Sequence, residues 1–244
     1  MLSKATIKFI KSLQVKKYRK QEQRFVVEGA KSVLELLKSD FEILTLIGTH
    51  HFLSTIKVPL KPDVVEVSER ELEGLGEFQT NNSAIAIARL KPNVPIQPSG
   101  DEFAIVLDNI RDPGNFGTII RTADWYGIQK IIASPETADF YSPKVISATM
   151  GSFTRTQIFY TDLPVFLREI KLPVYGAYLQ GTHIHEVRFK QGGLILIGSE
   201  SHGISPDLER FVTQKITIPK YGKAESLNAA IATAVICDNL RRGG

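Results

Sequence analysis

FAIVLDNIRDPGNFGTIIRTADWYGIQKIIASP, residues 103–135, holds the reading that decides the fold. It opens on the apolar run FAIVL closed by Asp-Asn, as a strand buried on both faces requires. Asp112-Pro113-Gly114 then turns the chain, a helix runs on to a glycine stop at Gly127, and QKIIASP starts a second strand. The alternation continues downstream. Ser142-Pro143 opens a helix over 144–150, TQIFYT is a strand and PVFLREI a helix. PVYGAYL and GLILIGS are strands, SPDLERFV a helix, KITIP a strand, and ESLNAAIATAVICDNLRR a long closing helix. Strands separated by helices on this scale predict a mostly parallel sheet covered on both faces.

Upstream, LKPNVPIQPSG carries three prolines and few apolar anchors, and reads as a linker. Before it, FVVEG, EILTLIG, VVEV and SAIAIAR alternate with the helical AKSVLELLKS, HHFLSTI and SERELEGLG, a compact α/β unit of its own. The expected organisation is therefore an N-terminal domain over 1–90, a linker over 91–100 and a larger domain over 101–244.

The 244 residues are 43% hydrophobic and 23% charged, the balance of ordinary globular protein. Thirty Lys and Arg stand against 26 acids. Much of the excess lies near the start, in Lys4, Lys8, Lys11, Lys16, Lys17, Arg19, Lys20 and Arg24, opposed by little beyond Glu22. That run suits a polyanion, or is simply a solvated helix face. The lone Cys237 excludes an internal disulfide and sits in an apolar helical run where burial is expected. No apolar stretch is long enough to span a bilayer, and the start lacks the pattern of a secretory leader. The expectation is a cytoplasmic protein with no membrane partner.

Chemistry concentrates in three blocks. In DPGNFGTIIRTA, Asn115 stands where a helix N-cap would, and Arg121 leaves the same helix about one and two-thirds turns later. An amide and a cation facing one ligand suit a phosphate; a capped helix whose Arg pairs with an acid would read the same. In ILIGSESHG, Gly198 ends a strand, Glu200 sits in the turn and Gly203 releases the chain. In KAESLNAAIATAV, Ser226 and Asn228 lead into the last helix, with side chains able to cap it or meet a ligand. The HIHE run with His183 and His185 lacks a third spaced ligand, so no metal site is expected. Phe116, Trp125 and Tyr126 flank the Arg121 helix as core residues, or as platforms for a base.

The order and spacing of the blocks resemble the SpoU or TrmH family of RNA ribose 2′-O-methyltransferases, of the SPOUT class. NFGTIIRTA is similar to the family's first motif, IGSESHG to its second and IPKYGKAESLNAAIA to its third, over 103–241. Residues 1–90, with RFVVEGAKSVLELL and TNNSAIAIA, resemble the L30e-like substrate-binding domain that precedes such catalytic domains. The resemblance implies an α/β SPOUT domain with a deep trefoil knot, a homodimer, and S-adenosylmethionine held near Leu179, Gly181, Gly198, Ile218 and Leu227. It implies methyl transfer to a ribose 2′-hydroxyl of structured RNA, ribosomal in preference to transfer RNA, without a metal. The residue matching Arg121 is assigned to the hydroxyl in that family, with those matching Asn115, Glu200, Ser226 and Asn228 around it. A guanidinium does not give up its proton near neutrality. The expectation is therefore that Arg121 stays charged, grips the target phosphate and stabilises the developing alkoxide, while a phosphate oxygen or water takes the proton.

Ser199 and Ser201 depart from the Asn and Gly usual in the second motif. If position 201 needs positive φ, Ser costs about 1 kcal/mol there. Those departures leave a non-catalytic RNA-binding or ribosome-assembly factor as the alternative. A nucleotide-dependent enzyme of Rossmann type is disfavoured by the missing GxGxxG and P-loop.

Overall fold

The computed structural model describes residues 2–57, 63–77 and 81–242; Thr80 of the TNNSAIAIA stretch lies outside them. The chain forms two compact units, Met1–Pro92 with Asp139–Thr154, and Asn93–Ala138 with Arg155–Gly244.

The first unit opens with α1 (Lys4–Ser12) and α2 (Lys16–Glu22), followed by β1 (Arg24–Glu28), α3 (Ala30–Leu37), β2 (Ile43–Gly48), α4 (His50–Ser54), β3 (Asp63–Glu66), α5 (Glu69–Glu73) and β4 (Ala84–Arg89). The basic N-terminal stretch forms two helices rather than a continuous one, the break falling where Val15 turns extended at φ −97° and ψ 128°. The four strands lie in the order β1-β4-β2-β3. β4 runs antiparallel to both neighbours and β2 parallel to β3, so this sheet is mixed. Ile10, Leu13, Val26, Ile47, Leu72 and Ile85 form one apolar cluster beneath it.

The rest of the chain supplies β5 (Phe103–Leu107), α6 (Pro113–Trp125), β6 (Lys130–Ala133), α7 (Pro143–Thr149), β7 (Gln157–Tyr160), α8 (Leu163–Glu169), β8 (Val174–His183), β9 (Gly193–Ile197), α9 (Pro206–Glu209), β10 (Gln214–Thr217) and α10 (Ala229–Arg242). Six strands in the order β10-β8-β9-β5-β6-β7 pair in parallel throughout. Ala104, Val106, Leu194 and Leu196 pack with Phe166, Leu167 and Leu208 of α8 and α9. The alternate residues Ile105, Leu107, Ile195 and Ile197 are buried as well, so both faces are covered, as unbroken apolar strands demand.

One segment departs from the expected boundaries. Residues 139–154, including α7, complete the first unit although they follow β6 in sequence. Val145, Ile146 and Phe153 are buried, and Phe25 of β1 meets Tyr141 at 4.7 Å and Phe153 at 6.1 Å between ring centroids. Helical periodicity reveals an apolar face but not which sheet it covers. The start of the linker is anchored rather than free. Lys91 reaches Asp40 and its N–H meets the Tyr141 hydroxyl, whereas Asn93 exchanges two hydrogen bonds with the backbone of Tyr160.

Candidate active site

The three sequence blocks converge beyond the C-terminal ends of β5 and β9, where ligand sites form in parallel sheets. Helix α6 begins at Pro113, and its N-cap is Asp112, whose carboxylate accepts the Asn115 N–H at 2.7 Å. This corrects the expectation that Asn115 caps the helix. Pro113 fits the first helical position because its missing N–H is not needed there, which moves the cap and the helix start three residues earlier. The Asn115 amide is thereby left for long-range use. Its Nδ2 donates to Glu200 Oε1 at 2.5 Å, and its Oδ1 accepts from Asn228 Nδ2 at 2.8 Å. One residue from each block is thus joined in a single chain of hydrogen bonds, Asn228 to Asn115 to Glu200.

Asn228 serves two purposes. Its Oδ1 accepts the N–H groups of Ala230 and Ile231 at 2.9 and 3.3 Å, capping α10. The closing helix therefore begins at Ala229, not at Glu225 as the sequence suggested, and Ser226 and Leu227 lie exposed in the loop before it. Arg121 is exposed on α6 and forms no ion pair among the described residues. The nearby acid Asp124 is taken by Arg155 at 2.8 Å. The alternative in which Arg121 merely pairs with an acid is not what this fold builds.

The second block forms a tight loop in which Ser199 and Gly203 exchange backbone hydrogen bonds at 3.0 and 2.9 Å. Gly198 is required by close approach, since a Cβ there would lie 2.0 Å from the Gly203 carbonyl carbon. The left-handed position is Gly203, at φ +69°, and Ser201 is not among the described residues with positive φ. Ser201 therefore carries none of the backbone strain that its place in the motif suggested. Its hydroxyl bonds His202 Nδ1 at 2.7 Å instead.

A cavity of about 880 Å³ opens against this loop. Its second wall comes from β8, whose pairing with β10 jumps from Gly176 opposite Lys215 to Thr182 opposite Ile216. Residues 177–181 arch outward across that jump, and Thr217 Oγ1 pins the arch by donating to the Leu179 carbonyl at 3.1 Å. Leu179, Gly198, Ile218 and Leu227 line the cavity, together with Glu200 and Ser226. Gly181 does not. Its lack of a side chain answers to the arch's return, where a Cβ would come within 2.6 Å of the Lys215 carbonyl oxygen. Leu179 is 75% and Leu227 47% exposed, an apolar rim suited to covering by a small ligand.

Several residues here went unread in the sequence. Tyr178 lines the cavity with a buried hydroxyl that has no hydrogen-bond partner among the described residues, and burial raises its pKa. Lys215 lies over its ring at 4.8 Å and bonds Glu209, which holds the ammonium charged. Asp108, buried at the end of β5, accepts the Ser205 N–H at 2.7 Å and so hooks the second block to the first. The only signal for these was an acid closing an apolar strand and an alternation too weak to give register. Phe116 is buried as expected, but Trp125 is 83% exposed and is not core. His183 and His185 are exposed, and no cluster of three potential metal ligands occurs among the described residues.

Residues 102–238 match the SpoU rRNA methylase family, and residues 4–86 match the MRM3-like substrate binding domain. The 23S rRNA (guanosine(2553)-2′-O)-methyltransferase of Bacillus subtilis is 28% identical over 239 residues, covering 96% of this chain and 95% of its own. A solved chain from Porphyromonas gingivalis assigned to the TrmH family of RNA methyltransferases aligns with a TM-score of 0.89 at 38% identity, covering 100% of both chains. The AdoMet-bound rRNA methyltransferase of Sinorhizobium meliloti gives a TM-score of 0.88 at 31% identity over 99% of this chain and 96% of its own. Matched over more than half its length by that first family, and with one residue from each of the three motif blocks joined by hydrogen bonds beside the cavity, the chain belongs to the SpoU rRNA methylase family.

Proposed function

We propose that this chain methylates a ribose 2′-hydroxyl of structured ribosomal RNA, using Arg121, Asn115, Glu200, Ser226 and Asn228. It is an RNA 2′-O-methyltransferase, and S-adenosylmethionine is its cofactor. The residues present fit that group. The cavity volume is that of a small-molecule site, its rim is apolar, and the buried Tyr178 hydroxyl has a hydrogen bond to spare. Leu179, Gly198, Ile218 and Leu227 would hold the cofactor, which when bound supplies a methyl already activated on a sulfonium. What remains for the protein is to align the 2′-oxygen and ease the loss of its proton.

The observation that carries this reading is the bonded set Asn228, Asn115 and Glu200, centred on Asn115 of the helix that also presents Arg121, which pairs with no acid among the described residues. The Arg121 guanidinium grips the phosphate beside the target and stabilises the developing alkoxide. A phosphate oxygen or water accepts the proton. Ribosomal RNA is preferred because the relative that spans nearly the whole chain is named for 23S rRNA. The same reading includes a cytoplasmic homodimer, an L30e-like first domain and a trefoil knot in the second. Trp125 and Ile231, 83% and 53% exposed on the packed pair α6 and α10, support a second copy covering that face.

The test is incubation with radiolabelled S-adenosylmethionine and ribosomal RNA from cells lacking the protein, with the labelled nucleotide mapped. Label on a 2′-oxygen that drops about 10²- to 10³-fold in Arg121→Ala supports the assignment. Saturable cofactor binding with no label on any RNA would sink it.

A further inference from the structure

The α1–α2 corner of the first unit is built to display cations. Ser3 Oγ caps α1 by accepting the Thr6 N–H at 3.0 Å. Ile10 and Leu13 turn into the core, while Lys4, Lys8 and Lys11, at i, i+4 and i+7, face solvent. On α2, Lys16, Lys17 and Lys20 are likewise exposed, but Arg19 is only 3% exposed. Its guanidinium donates to the carbonyls of Leu13 and Gln14, at 2.9 and 2.7 Å, and to Asp139 at 2.5 Å. The arginine is thus the clamp that fixes the corner, and the lysines are what the corner presents.

None of the six lysines forms an ion pair among the described residues, whereas Lys91, Lys130 and Lys215 each meet a carboxylate. Like charges one turn apart repel, so the array is stabilised by an external polyanion. Tyr18 lies within it, 42% exposed. A bilayer is a poor occupant, because the apolar face of α1 is spent on the unit's own core and has nothing to insert. Lysines around an exposed aromatic ring are the chemistry of RNA that offers both phosphates and unstacked bases.

We propose that the α1–α2 corner is an RNA grip. Lys4, Lys8, Lys11, Lys16, Lys17 and Lys20 track phosphates, and Tyr18 stacks on an unpaired base. This rests on the RNA-methylating reading above and assigns the contact to particular residues.

Fluorescence anisotropy of the full chain with a short fluorescein-labelled RNA stem–loop, from about 50 to 200 mM NaCl, tests it. Each neutralised phosphate contributes about 0.7 to 0.9 to the slope of log K against log salt. The triple variants K4Q/K8Q/K11Q and K16Q/K17Q/K20Q should each flatten that slope by about 2. Tyr18→Ala should weaken binding about 5- to 100-fold at unchanged slope, with Tyr18→Phe near wild type. Cofactor binding measured by calorimetry should be the same in all variants. Unchanged slopes in both triples would overturn the grip. So would loss of phosphatidylglycerol-vesicle binding in the triples while RNA binding persists. Flattened slopes in a protein that methylates no RNA would uphold the grip and sink the catalytic reading alone.

Discussion

Asn115 joins more of the site than any other side chain, because its amide bonds Glu200 with one end and Asn228 with the other. Hydrogen bonds to charged groups contribute about 1.5–3 kcal/mol. Asn115→Ala should therefore slow methyl transfer roughly 10- to 100-fold, with cofactor affinity by calorimetry little changed. Asn115→Asp should be worse at neutral pH, since it sets one carboxylate against another. Cys237 makes a prediction of the opposite kind. Burial pushes its thiol from 9.0 up to about 12, so iodoacetamide at pH 8 should leave it unlabelled in the folded protein and label it on unfolding, as read by mass spectrometry. A thiol whose folded pKa is raised stabilises the fold below pH 9 or so and loses that contribution as pH climbs toward 12. Much of this was legible residue by residue. Asn115, Glu200 and Asn228 stand out as polar residues at element ends. That they bond one another was not legible, because it depends on Asp112 taking the capping role and releasing Asn115.

At the scale of elements, strands and helices were readable because their apolar periods are long and clean. Their neighbours were not. The order β10-β8-β9-β5-β6-β7 and the register jump that raises the 177–181 arch are set by tertiary packing, to which periodicity is blind. Helix starts erred in both directions for one reason: several candidate caps stood close together, and only the folded backbone selects among them. The cap of α6 offers a direct check. Asp112→Ala should cost about 1 kcal/mol, read as a lowered urea midpoint with unchanged slope. Because Asp112 holds the Asn115 N–H, cofactor-saturated turnover should fall with it.

For the molecule as a whole, the notable departure from sequence expectation is that its first unit is discontinuous. The match to a substrate-binding domain ends at residue 86, yet Tyr141 and Phe153 close the aromatic cluster around Phe25, and Asp139 pairs with the buried Arg19. A fragment of residues 1–92 would leave that apolar face open and that guanidinium without its carboxylate, a loss of about 3–5 kcal/mol for the ion pair alone. It should show no cooperative thermal transition by circular dichroism. The same fragment joined through a flexible linker to residues 139–154 should recover one. A sharp transition in the short fragment would mean that the later segment is ornament rather than core.

The returning segment also sets a clock during biosynthesis. Roughly 60 residues must be added after Pro92 before Thr154 exists, which at about 5–20 residues per second occupies about 3–12 seconds. Throughout that interval the nascent chain carries Phe25 and Phe41 on an unfinished surface, open to chaperones and to neighbouring chains alike. The yield of active enzyme should therefore follow the pace of translation through codons 93–154 more closely than through those that precede them.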